Sequence, residues 1–501
     1  MVVTSRVRDT YWALSSLALD SLPFLAALTL PLAWWLSLIL VVESPVLDLT
    51  PPKIAVIAMV LLVVSSLPRL RVPRSDVVLL GLVAAYIGWF IVTSAVHGSV
   101  ADVKMTLAYA LYLGGSAAGA YVAGRHAPKR FSRVLVATIL VVLALTTLGV
   151  AIERLTYPGA GRPDPLAAAW QVFRPQTPVI DPVRGVLTPP PLHFPSGDPA
   201  VPRASAMFAH VNYLAFFSVL AAALATALLL SHRRRVIAAA VLALSACSVC
   251  VVWTYSRVGL IGLGLTVGAV VLVDALAGRA RGAFKVRRAW ALPVIVVLLS
   301  SGVTIAVDQV GLRRFTSAVV PSSPTLTPGE QQAAIEASAS RSTAVRLALQ
   351  GAAVELITRS PKSLLVGPGQ HAFEAAIHTK TSPLYIAEAA PFRDSNSLWL
   401  TLAVAGGIPG ALLMAAVLAI VTVRLLAATA AARPGVPRVT LMFLAAWVPA
   451  WAVTQIFGTF PFVASEAIIL GILLGSAIAL GSADLPGPDR SETHSDRPGV
   501  P

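Results

Sequence analysis

Twelve long apolar runs are the feature that most constrains the fold of this chain. Each is close to the roughly 20 residues that an α-helix needs to cross a bilayer. They lie near residues 24–42, 53–67, 76–96, 105–123, 134–152, 207–230, 236–254, 258–277, 290–307, 397–423, 439–458 and 463–481. Because 56% of the residues are hydrophobic and only 12% are charged, the apolar surface is too large for a water-soluble core. The sequence therefore predicts an all-α, polytopic membrane protein of about 12 transmembrane helices.

The charged residues of the loops predict how these helices are oriented. The arginine-rich loops are 68–74, 124–130, 232–235 and 279–288. They alternate with short loops that hold single basic residues, such as Lys53, Lys104 and Arg257. Because lysine and arginine concentrate on the cytoplasmic side of membrane proteins, we expect both termini in the cytoplasm. The net charge of +15 then reflects contact with anionic membrane lipids, and we expect no nucleic-acid partner.

This orientation divides the chain into six segments. They are the first five helices in 1–152, a proline-rich outer loop in 153–206, four helices in 207–307, a large outer loop in 308–395, three helices in 396–481 and a disordered cytoplasmic tail in 482–501. Proline blocks helix continuation, so the first outer loop should be irregular apart from one helix at Pro165 to Val172.

The large outer loop has a more regular pattern and should be partly helical. Apolar residues recur at helical spacing from Ser342 to Arg359, and Pro361 should end that helix. The apolar positions are Val345, Leu349, Ala352 and Leu356. Gly367-Pro-Gly369 predicts a tight turn, and a short helical piece should follow from His371 to Ile377.

The same loop carries much positive charge for an outer segment. Its basic residues are Arg313, Arg314, Arg341, Arg346, Arg359, Lys362, Lys380 and Arg393. Positive charge on this side indicates an anionic partner, and the arginine fork suits phosphate oxygens. A diphosphate needs donors from several directions, and the candidates are Arg203, Arg257, Arg341 and Arg346. The alternatives are an interfacial arginine at 257 and a solvated helix face at 346.

Other polar candidates stand where helices enter the membrane from the outer side. His210 and Asn212 begin one apolar run, Asp394 and Asn396 precede another, and His371 lies in the large loop. Histidine and aspartate can act as general bases. A hydrogen-bonded pair between helices, helix N-caps and a solvated loop histidine are the respective alternatives. The sequence has no metal-ligand or nucleotide motif, so we expect no metal and no cofactor.

Four short motifs follow one another along the outer side of the predicted membrane protein. They are Arg203 to Tyr213, Ser256 to Gly262, Arg346 to Ala352 with Leu365 to Phe373, and Asn396 to Gly410. In their order and placement they resemble the O-antigen ligase and polymerase superfamily of bacterial envelope enzymes. The resemblance covers about 200–481, while the amino-terminal half agrees only in being helical.

The resemblance implies a glycosyltransferase C-like fold in the bacterial cytoplasmic (inner) membrane, with the active site on the extracytoplasmic face. The implied reaction is a metal-independent transfer of a glycan from an undecaprenyl-diphosphate-linked donor to a glycan or lipid acceptor. It implies that Arg257 and Arg346 hold the donor diphosphate. The candidate bases are Asp394, His210 and His371, and the candidate substrate-binding residues are Arg203, Asn212, Arg341, His371 and Asn396.

Two departures from the family pattern leave the reaction type open. The family's ligases have a histidine immediately before the asparagine of the last motif, where this chain has Ser395. The tryptophan usual after the loop arginine is also missing, with Gln350 or Gly351 in its place. A polymerase and a ligase with another base are both consistent with the sequence.

A second class is a secondary transporter or a polysaccharide-export partner, because about 12 helices are common among transporters. That class predicts charges in the middle of helices, inverted repeats and broken helices. The apolar runs have almost no charge at mid-depth, and Asp274 and Glu466 lie near their ends. The transferase is therefore favoured.

Overall fold

The computed structural model describes a chain built almost entirely of helices. The described residues are 2–35, 50–67, 70, 72–156, 179–181, 185–187, 208, 211–231, 234–254, 256–282, 288–307, 344–386, 395–456 and 464–482. The helices are α1 (Val2–Trp35), α2 (Pro51–Ser66), α3 (Arg74–His97), α4 (Val100–His126), α5 (Pro128–Thr156), α6 (Val211–Leu230), α7 (Arg234–Trp253), α8 (Arg257–Ala280), α9 (Ala291–Val307), α10 (344–358), α11 (Pro361–Val366), α12 (Gln370–His378), α13 (Leu398–Ala431), α14 (Val436–Thr454) and α15 (Ala464–Gly481). A 3₁₀ turn at Arg288–Trp290 precedes α9.

Each predicted apolar run overlaps one of α1 to α9 or α13 to α15. Within the described residues, eight helices are long and apolar enough to cross a membrane, and α2, α9 and α15 are apolar but shorter. The prediction of a polytopic helical membrane protein is confirmed, and the count of twelve crossings stays a prediction. Other helices cover much of the long helix α4, in which Tyr109, Tyr112 and Tyr121 are all buried.

Helices α1 and α5 extend beyond the predicted apolar runs. Helix α1 begins at Val2, and within the described residues its segment apolar enough to span is Ser16–Ala33, which overlaps the predicted first span at 24–42. Helix α5 continues to Thr156, into the predicted outer loop.

The proline-rich loop contains a feature that the sequence did not predict. Strands β1 (Val179–Asp181) and β2 (Gly185–Leu187) form an antiparallel hairpin, with Val179 opposite Leu187. The hairpin is a small β addition to the predicted all-α fold. The predicted helix at 165–172 lies outside the described residues.

The closest helix packing joins α4 and α15 through small residues. A Cβ atom at Gly475 would overlap the backbone of Ala117, and one at Gly471 would overlap the Ser116 hydroxyl. Small residues four apart let two helix backbones approach closely, which favours association inside a membrane. This pair forms part of the large buried core that fixes the helix ends.

Buried carboxylates join helices at the predicted cytoplasmic side. Asp76, which is 0% exposed, accepts hydrogen bonds from Tyr121 Oη at 2.9 Å and from Arg424 Nη2 at 2.6 Å. Asp274 accepts one from Arg438 Nη2 at 3.2 Å. Both carboxylates stand near helix ends and are paired with arginines, so they are structural ties between helices.

Candidate functional site

Arg257 is the first residue of α8. Ser256 caps this helix by accepting a hydrogen bond from the Gly259 amide at 3.2 Å. The Arg257 side chain is exposed. The amino-terminal end of a helix carries partial positive charge, which disfavours a cation and favours an anion. An anion bound beside an arginine at this position would stabilise it.

Arg346 belongs to the amphipathic helix α10 of the large loop, which confirms the predicted helix. The predicted apolar positions of this helix are buried, and they pack with Phe373 of α12 and Val404 of α13. Arg346 itself is exposed. The loop helix is therefore fixed to α13 by its apolar face and presents the arginine outward.

The structure brings Arg346 and Arg257 into electrostatic range of each other. The pKa of Arg346 is lowered from its ordinary value, first by burial and second by the positive charge of Arg257. Two like charges held close together raise each other's energy unless an anion lies between them.

Helix α13 is broken near its start, beside the large loop. Gly407 has a non-helical backbone (φ 68°, ψ −177°), and Pro409 follows it. A break frees carbonyls that normally accept helical hydrogen bonds, and these must find other donors when buried. The Val404 carbonyl accepts from the Gly369 amide at 2.9 Å, and the Gly406 carbonyl accepts from Trp89 Nε1 at 2.6 Å.

The third and fourth sequence motifs meet at this break. Gly367 (φ 79°) and Gly407 face each other across the contact between α11 and α13. A Cβ atom on Gly367 would overlap the Val404 carbonyl, and one on Gly407 would overlap the Leu365 carbonyl. Both positions thus require glycine, because the two backbones touch directly.

His97 and Asp102, which the sequence did not identify as site residues, hold the turn at Gly367–Gly369. His97 Nε2 lies 3.1 Å from the carbonyl oxygens of both Val366 and Gly367, so this nitrogen donates. Asp102 Oδ1 accepts from the His371 amide at 3.0 Å. His97 Nδ1 lies 3.9 Å from Asp102 Oδ2. The sequence signal for Asp102 was only that of a charge in a short loop.

The start of α13 shows what Ser395 and Asn396 do. Ser395 is 1% exposed, and its hydroxyl is 3.0 Å from the Ser397 carbonyl and 2.9 Å from Thr401 Oγ1. It is a structural residue, consistent with its exclusion as a base. Asn396 has a left-handed backbone (φ 55°), and the helix N-cap is Ser397. The alternative interpretation of Asn396 as the cap is therefore wrong.

Of the other predicted site residues, His371 is described by the structure and most of the rest are not. The His371 side chain is exposed, and the contact between His371 and Asp102 is made by the backbone amide of His371. The remaining predicted positions, Arg203, His210, Arg341 and Asp394, lie outside the described residues, as does the side chain of Asn212. Among the residues that the structure describes, no three histidine, cysteine or acidic side chains are grouped to hold a metal ion.

Comparison with protein-family models matches part of the chain. Residues 240–415 match the family model described as O-antigen ligase. A search of curated proteins finds no match. The matched segment contains Arg257, Arg346, the Gly367–Gly369 turn and the break at Gly407. Over residues 240–415, the chain is therefore similar to the O-antigen ligase family.

Proposed function

We propose that this protein transfers a glycan from an undecaprenyl-diphosphate-linked donor to a glycan or lipid acceptor at the outer face of the cytoplasmic membrane. The family match and the membrane helices support a membrane glycan ligase or polymerase. The donor, the acceptor and the side of the membrane are parts of the proposal.

The observation that carries the proposal is the proximity of Arg257 and Arg346. They come from a membrane helix and from the large loop, and the Arg257 charge lowers the pKa of Arg346. Bringing two exposed cations together costs free energy, and a diphosphate between them would reverse the sign of that interaction. Each guanidinium can donate two parallel hydrogen bonds to phosphate oxygens.

The arginines account for the hardest part of the reaction. The acceptor hydroxyl oxygen forms a bond to the anomeric carbon of the donor, and the bond from that carbon to the diphosphate oxygen breaks. The electron pair leaves with the lipid diphosphate, and the acceptor proton passes to a base. Cations fixed beside the leaving group stabilise the charge that grows on it. This chemistry needs no metal ion when arginines supply the positive charge.

The base and the reaction type are separate parts of the proposal. Asp394 is the first candidate for the base, with His210 and His371 after it. Polymerase and ligase differ in phenotype when the gene is deleted. A polymerase loss shortens the surface glycan, whereas a ligase loss accumulates the lipid-linked glycan.

The transporter alternative gains one observation from the structure, since α13 is a broken helix. Transporters use the freed backbone of such breaks to bind substrates and ions. Here the carbonyls of Val404, Ala405 and Gly406 accept from the Gly369 amide, Thr93 Oγ1 and Trp89 Nε1, respectively. Because protein donors occupy these carbonyls, the break serves packing and the transferase remains favoured.

The test is glycan transfer from lipid-linked donor by purified variants in lipid nanodiscs. We expect Arg257→Ala and Arg346→Ala each to lower the transfer rate by roughly 100-fold, as removal of a transition-state donor does. Arg346→Lys should recover only part, because lysine cannot donate a bidentate fork. Arg359→Ala, which removes an exposed arginine just beyond the end of α10, is the matched control and should keep the rate. Wild-type transfer in Arg257→Ala and Arg346→Ala would contradict the proposal.

A further inference from the structure

The short helix α11 of the large loop leaves two adjacent leucines uncovered. Leu365 is 59% exposed, Leu364 is also exposed, and so is Lys362 at the start of the helix. The carboxyl end of the helix faces α13, because a Cβ atom on Gly407 would overlap the Leu365 carbonyl. The backbone of α11 thus contacts the protein, while its leucine side chains do not.

Helix α3 shows where α11 lies along the bundle. Between Asp76 and His97 this helix contains no charged residue. These two residues are 21 positions apart, or about 32 Å at about 1.5 Å per residue, which matches the roughly 30 Å of a bilayer's hydrocarbon core. His97 Nε2 donates to the carbonyls of Val366 and Gly367 at 3.1 Å. The carboxyl end of α11 therefore lies at the level where α3 leaves the hydrocarbon core.

Helix α13 places α11 at the same level independently. At the opposite end of the bundle, Arg424 of α13 pairs with Asp76 at 2.6 Å. The Val404 carbonyl of α13 accepts from the Gly369 amide, just after α11. Val404 and Arg424 are 20 positions apart with no charged residue between them, again about 30 Å. Two helices thus place α11 at one boundary of the hydrocarbon core.

The uncovered leucines continue a surface that faces lipid. Ile408, the residue after Gly407, is exposed, and Leu412, one turn further along α13, is 62% exposed. Exposed apolar side chains on a membrane-crossing helix are in contact with acyl chains, since no water reaches them there. Because the Leu365 carbonyl contacts Gly407, the leucines of α11 adjoin this lipid-facing surface.

We propose that α11 is an interfacial helix, in which Leu364 and Leu365 insert among the lipid acyl chains. Such helices bury their apolar face about 5–10 Å into the boundary between headgroups and acyl chains. Lys362 can extend its ammonium group to the lipid phosphates, as lysines near this boundary do. The large loop is then attached to the membrane surface as well as to α13. Two residues separate α10 from α11, so the loop helix that carries Arg346 stays near the headgroups.

The experiment measures the depth of a nitroxide spin label in the full-length protein in phospholipid nanodiscs. Oxygen concentrates among acyl chains and a nickel chelate stays in water, so the accessibility of the label to each reports its depth. The label is attached to Leu365→Cys. Leu412→Cys on α13 is the lipid reference, and Glu355→Cys, on the exposed polar face of α10, is the water reference. We expect the Leu365→Cys label to be more accessible to oxygen, at a depth of about 5–10 Å, and the Glu355→Cys label to be more accessible to nickel.

Two controls keep the measurement specific. Wild-type protein carried through the labelling gives the background from Cys247 and Cys250, which are buried. Leu364→Cys repeats the measurement on the neighbouring side chain, and both variants should keep the wild-type unfolding temperature because these side chains are exposed. Labels at both positions that favour nickel over oxygen would place α11 in water and overturn the proposal. Labels shielded from both reagents would show a protein partner on this face, such as a second copy of the chain, and would overturn it as well.

Discussion

The close contact between Gly367 and α13 predicts that Gly367→Ala will destabilise the turn at Gly367–Gly369. In Gly367→Ala, the added Cβ atom would overlap the Val404 carbonyl and lie 2.9 Å from the Ala403 carbonyl. Backbone atoms on both sides cannot rotate away as a side chain could. The backbone angles of Gly367 (φ 79°, ψ 164°) also fall in a region that is almost exclusive to glycine. The substitution therefore combines steric overlap with backbone strain.

The magnitude follows from these two contributions. Strain of this kind costs about 1–3 kcal/mol, and overpacking a filled site costs about 1–3 kcal/mol, so the turn loses about 2–6 kcal/mol. Because each 1.4 kcal/mol is a factor of about ten, the open form of the turn should become at least about 30-fold more populated. Gly282→Ala is the matched control: its φ of 65° is also left-handed, but no atom lies within 4 Å of the new Cβ. It should cost about 1–2 kcal/mol and leave the large loop unaffected.

The assay is hydrogen–deuterium exchange of the loop in lipid nanodiscs, followed by mass spectrometry. The amides of Gly369 and His371 are protected by the Val404 carbonyl and by Asp102, so peptides that contain them report opening of the turn. They should exchange at least about 30-fold faster in Gly367→Ala and at the wild-type rate in Gly282→Ala. Equal exchange of these peptides in the two variants would refute the direct backbone contact.

Two further substitutions test contacts made by buried carboxylates. Asp102→Ala should accelerate hydrogen exchange at the His371 amide about threefold to tenfold, because one hydrogen bond is lost. Asp102→Asn keeps an accepting oxygen, so its exchange rate should stay near that of the wild type. Similar exchange rates in the two variants would contradict the contact. Asp76→Asn should lower the free energy of unfolding by about 3–5 kcal/mol, since it leaves Arg424 without its buried partner. The Asp20 carboxylate also forms an ion pair but is 58% exposed, so Asp20→Asn should change the free energy of unfolding by less than about 1 kcal/mol in the same denaturant titration. Equal losses of unfolding free energy in the two variants would refute the role of burial.

The elements that the sequence predicted are those that local patterns determine. An apolar run of spanning length has few stable options in a bilayer except a helix, so every predicted run overlaps a helix. The loop helix α10 was predicted because its apolar residues recur at helical spacing and bury one face. The hairpin at Val179–Leu187 was missed because proline-rich sequence indicates only where helices cannot continue.

The candidate site could be predicted only in part, for a physical reason. Arg257 and Arg346 were predicted as candidates because positive charge on the predicted outer side is unusual. Trp89 and His97 were not predicted as site residues, because their partners are backbone carbonyls. Every residue has a backbone carbonyl, so the sequence gives no signal for such a contact. Glu466 was noted only as a charge near a helix end, since the aromatic rings beside it come from two other helices, α6 and α14.

Helix α3, in the amino-terminal half of the chain, contacts the large loop and the broken helix through their backbone carbonyls. Thr93 and Trp89 of α3 donate to the carbonyls of Ala405 and Gly406, and His97 donates to the turn before α12. A carbonyl is the same at every residue, so these supports depend on the path of the partner backbone and not on its side chains. The paired arginines, by contrast, act through side chains and lie within 240–415, the segment that matches the family. The amino-terminal half thus fixes the backbone of the large loop beside the broken helix, and the matched segment supplies the charges that we propose to act on the lipid diphosphate.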